Sequence, residues 1–217
     1  MRNIRKKKDI GIYGFAAKEY DRNSRKSRLP EMQGYADEVE LQVKEGAKVL
    51  EVAPGPGYLS IELAKRGFRV TAVDISPDFI KIAKRNADEA AVTVDFLEGN
   101  VSNLPLKDDT FDFVVCSAAF KNFKDPVKAL CEMHRVLKQA GKALIIDMNH
   151  EATNEEINQE VSKMKGFDKV FVKFSFKTFL KKGAYTKEEF EAFIKESPFE
   201  NFHIRKEGIS LYVNLHK

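Results

Sequence analysis

The residues that best predict chemistry in this sequence surround a turn that contains two glycines. One acidic residue precedes the turn, and another ends the apolar run that follows it. Gly55-Pro56-Gly57 follows the apolar run that ends at Val52, and Asp74 ends the next apolar run. Glycine lets a ligand approach the backbone, and the start of a following helix attracts negative charge. A carboxylate at the end of the second strand can accept hydrogen bonds from ribose hydroxyls. The pattern predicts a site for an adenosine-containing cofactor.

Two residues near the turn indicate which cofactor this is. A dinucleotide fingerprint requires a third glycine at the position of Ser60, and it has no need for an acid before the turn. Here Glu51 precedes the turn, and a carboxylate at this place suits a ligand that carries an ammonium group, directly or through water. The sequence therefore favours a nucleoside joined to an amino acid over NAD.

Five segments of the chain together resemble a known enzyme family. They are residues 51–57, 74–75, 98–101, 111–117 and 135–142. In order and spacing, over about residues 40–150, they are similar to the motifs of class I S-adenosylmethionine-dependent methyltransferases of the small type 11, or UbiE-like, group. The resemblance implies S-adenosylmethionine as the methyl donor, S-adenosylhomocysteine as its product and no metal.

The resemblance also implies which residues contact the cofactor. Ala53 stands where the family has its first motif glycine, and Asn100 stands where Asp is usual. We expect Ala53 to be tolerated in an ordinary backbone conformation, and Asn100 to keep an acceptor oxygen for the adenine amino group without the charge. The implied contacts are Tyr20, Glu51, Ala53, Pro54, Gly55, Gly57, Tyr58, Asp74, Ile75, Asn100, Val101 and Cys116.

The acceptor side offers three candidate catalytic residues. Methyl transfer from a sulfonium requires a nucleophile held in line with the leaving sulfur, with water excluded. Beyond the carboxyl ends of the strands, where doubly wound folds bind ligands, the chain has Lys121 and Asn122 after the fourth predicted strand and His150 after the fifth. Resembled enzymes that methylate carbon or oxygen often carry histidines after strand four, which this chain lacks. The sequence therefore predicts no single general base.

Alternating strand and helix patterns predict an α/β fold with a parallel sheet and helices on both faces. The resemblance makes this a doubly wound, Rossmann-like, seven-stranded, mostly parallel sheet with an antiparallel last strand. Ser76 and Asp125, each before a proline, predict helix starts, Thr186 with Glu189 predicts a capping box, and residues 143–146 predict strand five. We interpret residues 1–217 as a single methyltransferase domain, with a basic cap segment at 1–40, a cofactor-binding core at 41–150, a substrate-side insertion at 151–185 and a terminal helix and hairpin at 186–217.

Composition agrees with one globular domain, because 217 residues with 43% hydrophobic content can bury one substantial core. No run of about 18 apolar residues occurs, and no apolar segment follows the basic start, so we expect neither a membrane span nor secretion. Cys116 and Cys131 lack metal-ligand spacing. A reduced cytoplasmic location is the expectation.

Two basic segments leave alternatives open. Residues 1–28 hold ten Lys or Arg and three acidic residues, and residues 165–182 place lysines every fourth position between phenylalanines. The first segment is either a solvated tail or a contact for nucleic acid or an anionic substrate. The second is either a cap helix packed on the core, or part of a roof over the substrate, or a helix that rests on a membrane surface. A small-molecule methyl acceptor is favoured over nucleic acid or protein, and a non-catalytic cofactor-binding protein is the remaining alternative.

Overall fold

The structure, a computed structural model, describes residues 9–163 and 181–217. Its strands are β1 (Lys48–Val52), β2 (Arg69–Asp74), β3 (Asp95–Glu98), β4 (Phe111–Ser117), β5 (Leu137–Met148), β6 (Asn201–Glu207) and β7 (Ser210–His216). They form one sheet in the order β3-β2-β1-β4-β5-β7-β6. The pairs among β1 to β5 are parallel, whereas β7 runs antiparallel to both β5 and β6. The expected fold class is confirmed.

Helices cover both faces of this sheet because side chains alternate along each strand. The helices of the described residues are α1 (Gly14–Glu40), α2 (Tyr58–Lys65), α3 (Pro77–Glu89), α4 (Pro126–Val136), α5 (Asn154–Lys163) and α6 (Lys187–Lys195), with short helical turns at Phe120–Asn122 and Lys181–Gly183. Val49 and Val115 share a buried cluster with helices α1 and α2, whereas Leu50 and Val114 share another with α4 and α6.

Capping side chains begin the helices where the sequence predicts them. The Ser76 hydroxyl accepts a hydrogen bond from the N–H of Phe79 at the start of α3, and the Asp125 carboxylate accepts one from Lys128 at the start of α4. Thr186 and Glu189 form a reciprocal capping box at α6. These contacts satisfy N–H groups that the first helical turn leaves without intrahelical partners.

Strand β5 is longer than the apolar run at residues 143–146 predicts. Its first residue, Leu137, already pairs with Phe111 of β4, and the register shifts before Phe113 pairs with Lys142. The strand therefore includes residues 138–142, which show no strand pattern in the sequence, around this irregularity.

Residues 9–13, which we call the strap, cross the carboxyl ends of the strands before α1 begins. The N–H of Ile10 donates to the carbonyl oxygen of Asn122 at 3.2 Å. The Ser76 hydroxyl donates to the carbonyl oxygen of Ile12 at 2.6 Å. The strap therefore connects the loop after β4 with the start of α3.

Helix α1 fixes the other end of the strap to the body of the fold. Its first residue, Gly14, donates its N–H to the carboxylate of Asp78 in α3 at 2.8 Å. Further along α1, Met32, Ala36 and Val39 are buried against the sheet face that α2 also covers.

The predicted lysine- and phenylalanine-rich helix at 165–182 lies outside the described residues except for its last two positions. The same holds for residues 1–8 of the basic start.

The turn between β1 and α2 gives a prediction about stability. Gly55 and Gly57 both have positive φ, 55° and 82°. A Cβ on Gly57 would lie 2.9 Å from Ala83 and 3.0 Å from the Phe96 ring, whereas a Cβ on Gly55 would meet only Phe79, at 3.9 Å. We expect Gly55→Ala to lower the free energy of unfolding by about 1 kcal/mol, from backbone strain alone. Gly57→Ala should lower it by roughly 3 kcal/mol, because a steric clash adds to the strain.

Urea unfolding followed by circular dichroism measures both losses. Equal losses for the two variants would contradict the packing described around Gly57.

Candidate functional site

A cavity of about 320 Å³ lies at the carboxyl ends of β1 to β4. The strand order reverses between β1 and β4, and such a switch point is where open α/β sheets bind ligands. The predicted residues that line the cavity are Tyr20, Ala53, Pro54, Gly55, Tyr58, Asp74, Ile75, Asn100, Val101, Lys121 and Asn122. Of the other predicted residues, Glu51, Gly57, Cys116 and His150 are not among those that line it.

Asp74 is the buried acid of this cavity. One carboxylate oxygen accepts the N–H of Gly55 at 3.0 Å, and the other accepts the N–H of Ser76 at 2.9 Å. Burial raises the pKa of Asp74 above its ordinary value, although the hydrogen bonds from Ser76 and Gly55 oppose that rise. Each carboxylate oxygen has a second lone pair. The group can therefore accept ligand hydroxyls while it holds the two loops.

Ala53 does not adopt the ordinary backbone conformation that we expected. Its φ is 56°, in the left-handed region that glycine adopts without cost. Its N–H donates to the carbonyl oxygen of Val73 at 2.8 Å, so the contact between the ends of β1 and β2 fixes the chain at this point. Ala53 thus adopts a conformation that suits glycine better, at a cost of about 1 kcal/mol for its methyl group.

Glu51 lies just below the cavity, on the side of the sheet that faces α2. It is 1% exposed, and the Ser60 hydroxyl donates a hydrogen bond to its carboxylate. Burial raises the pKa of Glu51 to about 7, although the hydrogen bonds from Ser60 oppose the rise. Ser60, which stands where a dinucleotide fingerprint has glycine, therefore holds the acid in place.

Arg28 is a cavity residue that the sequence analysis missed. From α1 it reaches the cavity wall, where it donates to the hydroxyl of Tyr20 at 2.7 Å and to the carboxylate of Glu31 at 3.0 Å. No local pattern separates this arginine from the other basic residues of the N-terminal segment. Only the packing of α1 against the sheet brings it to the site.

On the acceptor side, Lys121 forms a buried ion pair. Its side chain is 6% exposed, and its ammonium donates to a carboxylate oxygen of Asp147 at 2.7 Å and to the carbonyl oxygen of Ala118 at 2.5 Å. The backbone N–H of Lys121 donates to the other oxygen of Asp147 at 2.8 Å. The pair therefore braces the loop after β4 against β5, with a cation at the cavity wall.

The remaining candidates lie in different surroundings. Asn122 lines the cavity and accepts the strap's Ile10 N–H through its carbonyl oxygen. The ring of His150 contacts the carbonyl oxygen of Lys181 at 2.8 Å, in the region after β5. Cys116 is fully buried in the core, and burial raises the pKa of its thiol well above the ordinary value.

The described residues, 9–163 and 181–217, contain no group of three or more His, Cys, Asp or Glu side chains that could hold a metal ion. Within the same ranges, no helix has the length and apolar character needed to cross a membrane.

Comparison with known proteins agrees with this geometry. Residues 50–145 match a family described as "Methyltransferase domain". A demethylmenaquinone methyltransferase of Renibacterium salmoninarum is 38% identical over 105 residues, which cover 48% of this chain and 43% of that protein. A ubiquinone biosynthesis O-methyltransferase of Xanthomonas oryzae is 34% identical over 105 residues, which cover 48% and 44%. The match thus spans less than half the length of these two relatives.

The fold similarity extends over nearly the whole chain. A proposed S-adenosylmethionine-dependent methyltransferase from Methanococcus maripaludis superposes with a TM-score of 0.78 at 22% identity, covering 97% of this chain and 96% of that one. The helices and strands outside residues 50–145 therefore follow the same architecture. Residues 50–145 thus match a methyltransferase domain, and together with the shared fold this similarity supports a class I S-adenosylmethionine-dependent methyltransferase.

Proposed function

We propose that this protein transfers a methyl group from S-adenosylmethionine to a small-molecule acceptor. The observation that carries the proposal is the position of Asp74, buried at the end of β2 with both oxygens on backbone N–H groups of the cavity loops. Such a carboxylate suits the two hydroxyls of a ribose. When bound, the cofactor supplies an electrophilic methyl group on a sulfonium that leaves as a neutral thioether.

The cavity has suitable partners for each part of this cofactor. Ile75, Phe79 and Val101 line the end beside Asp74 and offer apolar surface to a planar base. At the other end, the Arg28 guanidinium suits an α-carboxylate, and the Glu51 carboxylate beneath the turn suits an α-ammonium, directly or through water. The site therefore presents opposite charges to a zwitterionic amino-acid tail.

An acceptor would enter on the side of the β4 loop. Ser117, Ala118 and Phe123 line this part of the cavity together with the Lys121 ion pair. A mainly apolar wall with one cation fits a planar molecule with an acidic hydroxyl, because the cation favours its deprotonated form. The names of the two relatives given above refer to quinones. Hydroxylated quinones and phenols are therefore the first acceptors to test.

Nucleic acid is the less favoured acceptor for a reason found in α1. Two of its arginines, neither of which lines the cavity, form ion pairs with acidic residues: Arg22 with Glu19, and Arg25 with Asp21 and Glu89. Arginines whose charge is already paired contribute less to binding phosphates.

The first experiment is calorimetric titration of the protein with S-adenosylhomocysteine, with NADH as the control ligand. We expect micromolar or tighter binding of the nucleoside and none of NADH. Asp74→Ala should weaken binding roughly 100-fold, because it removes two hydrogen bonds to a charged acceptor. The matched control is Asp95→Ala, which removes an exposed acid at the opposite end of neighbouring β3. This variant should bind the nucleoside like the wild type.

Unfolding curves of Asp74→Ala must accompany the titration, because Asp74 also holds the turn. A folded Asp74→Ala protein with full affinity would refute the placement of the ribose. Release of S-adenosylhomocysteine in the presence of the acceptor panel then separates an enzyme from a protein that only binds the cofactor.

Arg28 provides a prediction for the amino-acid tail. Arg28→Gln should lower the affinity for S-adenosylhomocysteine roughly tenfold, because a hydrogen bond to a charged carboxylate is lost. Methylthioadenosine, which lacks the amino acid, should bind the variant and the wild type equally. Arg22→Gln removes an arginine of the same helix whose side chain is 72% exposed, and it should leave both affinities unchanged. If Arg28→Gln lowered the affinity for both ligands equally, Arg28 would only hold α1 in place and would not bind the amino-acid tail.

Glu51 provides a prediction about pH. Its folded pKa, about 7, lies above the ordinary value of 4.5, so the buried group favours the protonated form. The corresponding stability is complete below pH 4.5 and is lost as the pH rises through about 7. We expect Glu51→Gln to be more stable than the wild type at pH 8 by roughly 1–3 kcal/mol, and to show little advantage at pH 4.5.

Urea unfolding of both proteins between pH 4.5 and 8 measures this difference, and a constant difference across that range would contradict the raised pKa. With the cofactor product bound, its ammonium should favour ionised Glu51. The affinity of the wild type should therefore rise with pH through 7 more steeply than that of Glu51→Gln.

A further inference from the structure

Both polar groups of the Asn100 side-chain amide already have partners, and one of these partners belongs to the strap. Its side-chain N–H₂ donates to one carboxylate oxygen of Asp9 at 3.0 Å. Its side-chain oxygen accepts the N–H of Ser102 at 2.8 Å, which fixes the orientation of the amide, since a flipped group would turn its N–H₂ towards that donor. Asn100, which stands where the resembled family usually has an acid, therefore binds the carboxylate of Asp9, a residue 91 positions earlier in the chain.

Asp9 makes a second hydrogen bond and lies at the cavity. Its second carboxylate oxygen accepts the backbone N–H of Lys124 at 2.8 Å, and the residue lines the same cavity as Asn100 and Val101. A carboxylate offers about four acceptor positions, and these two contacts use one on each oxygen. Acceptor capacity for a ligand donor therefore remains at this end of the cavity.

The pairing of an amide with an acid is complementary in charge. If residue 100 were also an acid, two carboxylates would face each other at the distance where Asn100 now donates, and their repulsion would disfavour the closed strap. Asn100 thus allows Asp9 to approach, and the carboxylate of Asp9 supplies the negative charge that Asn100 lacks.

We propose that Asp9 accepts the hydrogen bond of the adenine 6-amino group, so that the strap, and not the loop after β3, carries the acid that distinguishes this base. The inference rests on the proposed function, since it concerns the base of the same cofactor. It makes Asp9 a specificity-determining residue and makes closure of the strap part of cofactor binding.

The test compares S-adenosylhomocysteine with the analogue that carries purine in place of adenine and so lacks the 6-amino group. Calorimetry should show that the wild-type protein binds the adenine compound about tenfold more tightly or better, as expected for one hydrogen bond to a charged acceptor. Asp9→Asn should bind both compounds with similar affinity. The ratio of its affinity for the adenine compound to its affinity for the purine compound should therefore fall towards one.

A double variant separates base recognition from closure of the strap. In Asp9→Asn with Asn100→Asp, the new amide oxygen can accept from Lys124, the new N–H₂ can donate to the new acid, and that acid can still accept from Ser102. Each of the three hydrogen bonds that involve residues 9 and 100 therefore has a counterpart in the double variant, and a carboxylate still lies beside the adenine. We expect this swap to recover most of the lost selectivity.

Asp78→Ala is the matched control, because it removes the acceptor for the Gly14 N–H at the other end of the strap. It should weaken both compounds equally and leave their ratio unchanged. An unchanged ratio in Asp9→Asn, while the wild type binds S-adenosylhomocysteine, would overturn the role of Asp9 and leave the proposed function intact. Failure of the wild type to bind S-adenosylhomocysteine at all would overturn both.

Discussion

The carboxylate of Asp74 joins the two loops on which the cavity depends. It accepts one N–H from the turn after β1, at Gly55, and one from the start of α3, at Ser76. An acid in this place must be buried, and burial raises its pKa. The backbone hydrogen bonds oppose that rise, so the same contacts that shape the loops also favour the charged form that a ribose would require. Structure and binding therefore depend on one group and cannot be optimised separately at this position.

Two other buried charges surround the cavity, and each has a different source of compensation. Glu51 accepts hydrogen bonds from the neutral residue Ser60, and burial raises its pKa to about 7. Lys121 has the Asp147 carboxylate at 2.7 Å. A buried ion pair contributes little net stability compared with apolar packing, whereas a buried acid without a cation costs free energy whenever it ionises. The retention of both at the end of the sheet that holds the cavity is consistent with a site whose stability is reduced for the sake of binding.

Local sequence patterns predicted the parts of the site that local structure determines. Ser76 and Asp125 begin helices because their side chains satisfy N–H groups three residues on, and Asp74 follows from the βαβ pattern. The left-handed backbone of Ala53 could not be predicted from its residue type, since it is imposed by the contact with Val73. Arg28 and Asp9 were missed because their positions depend on how the N-terminal segment packs, and nothing in nearby residues records a contact 91 positions away. The start of β5 at Leu137 was missed for a similar reason, because pairing with β4 decides it.

The strap and α1 lie next to each other in sequence, yet they are held to the fold by different forces. Helix α1 buries Met32 and Ala36 in the core, and its Asp21 carboxylate accepts a hydrogen bond from the Tyr58 hydroxyl at 2.7 Å. By contrast, the strap is held by a few hydrogen bonds and by the partly buried Ile12, whereas its Ile10 and Tyr13 are 61% and 50% exposed. Hydrogen bonds of about 1 kcal/mol each stabilise a segment less than buried apolar surface does. A ligand contact made by Asp9 would therefore add to the weaker of the two attachments, where a given interaction energy shifts the population of closed states the most.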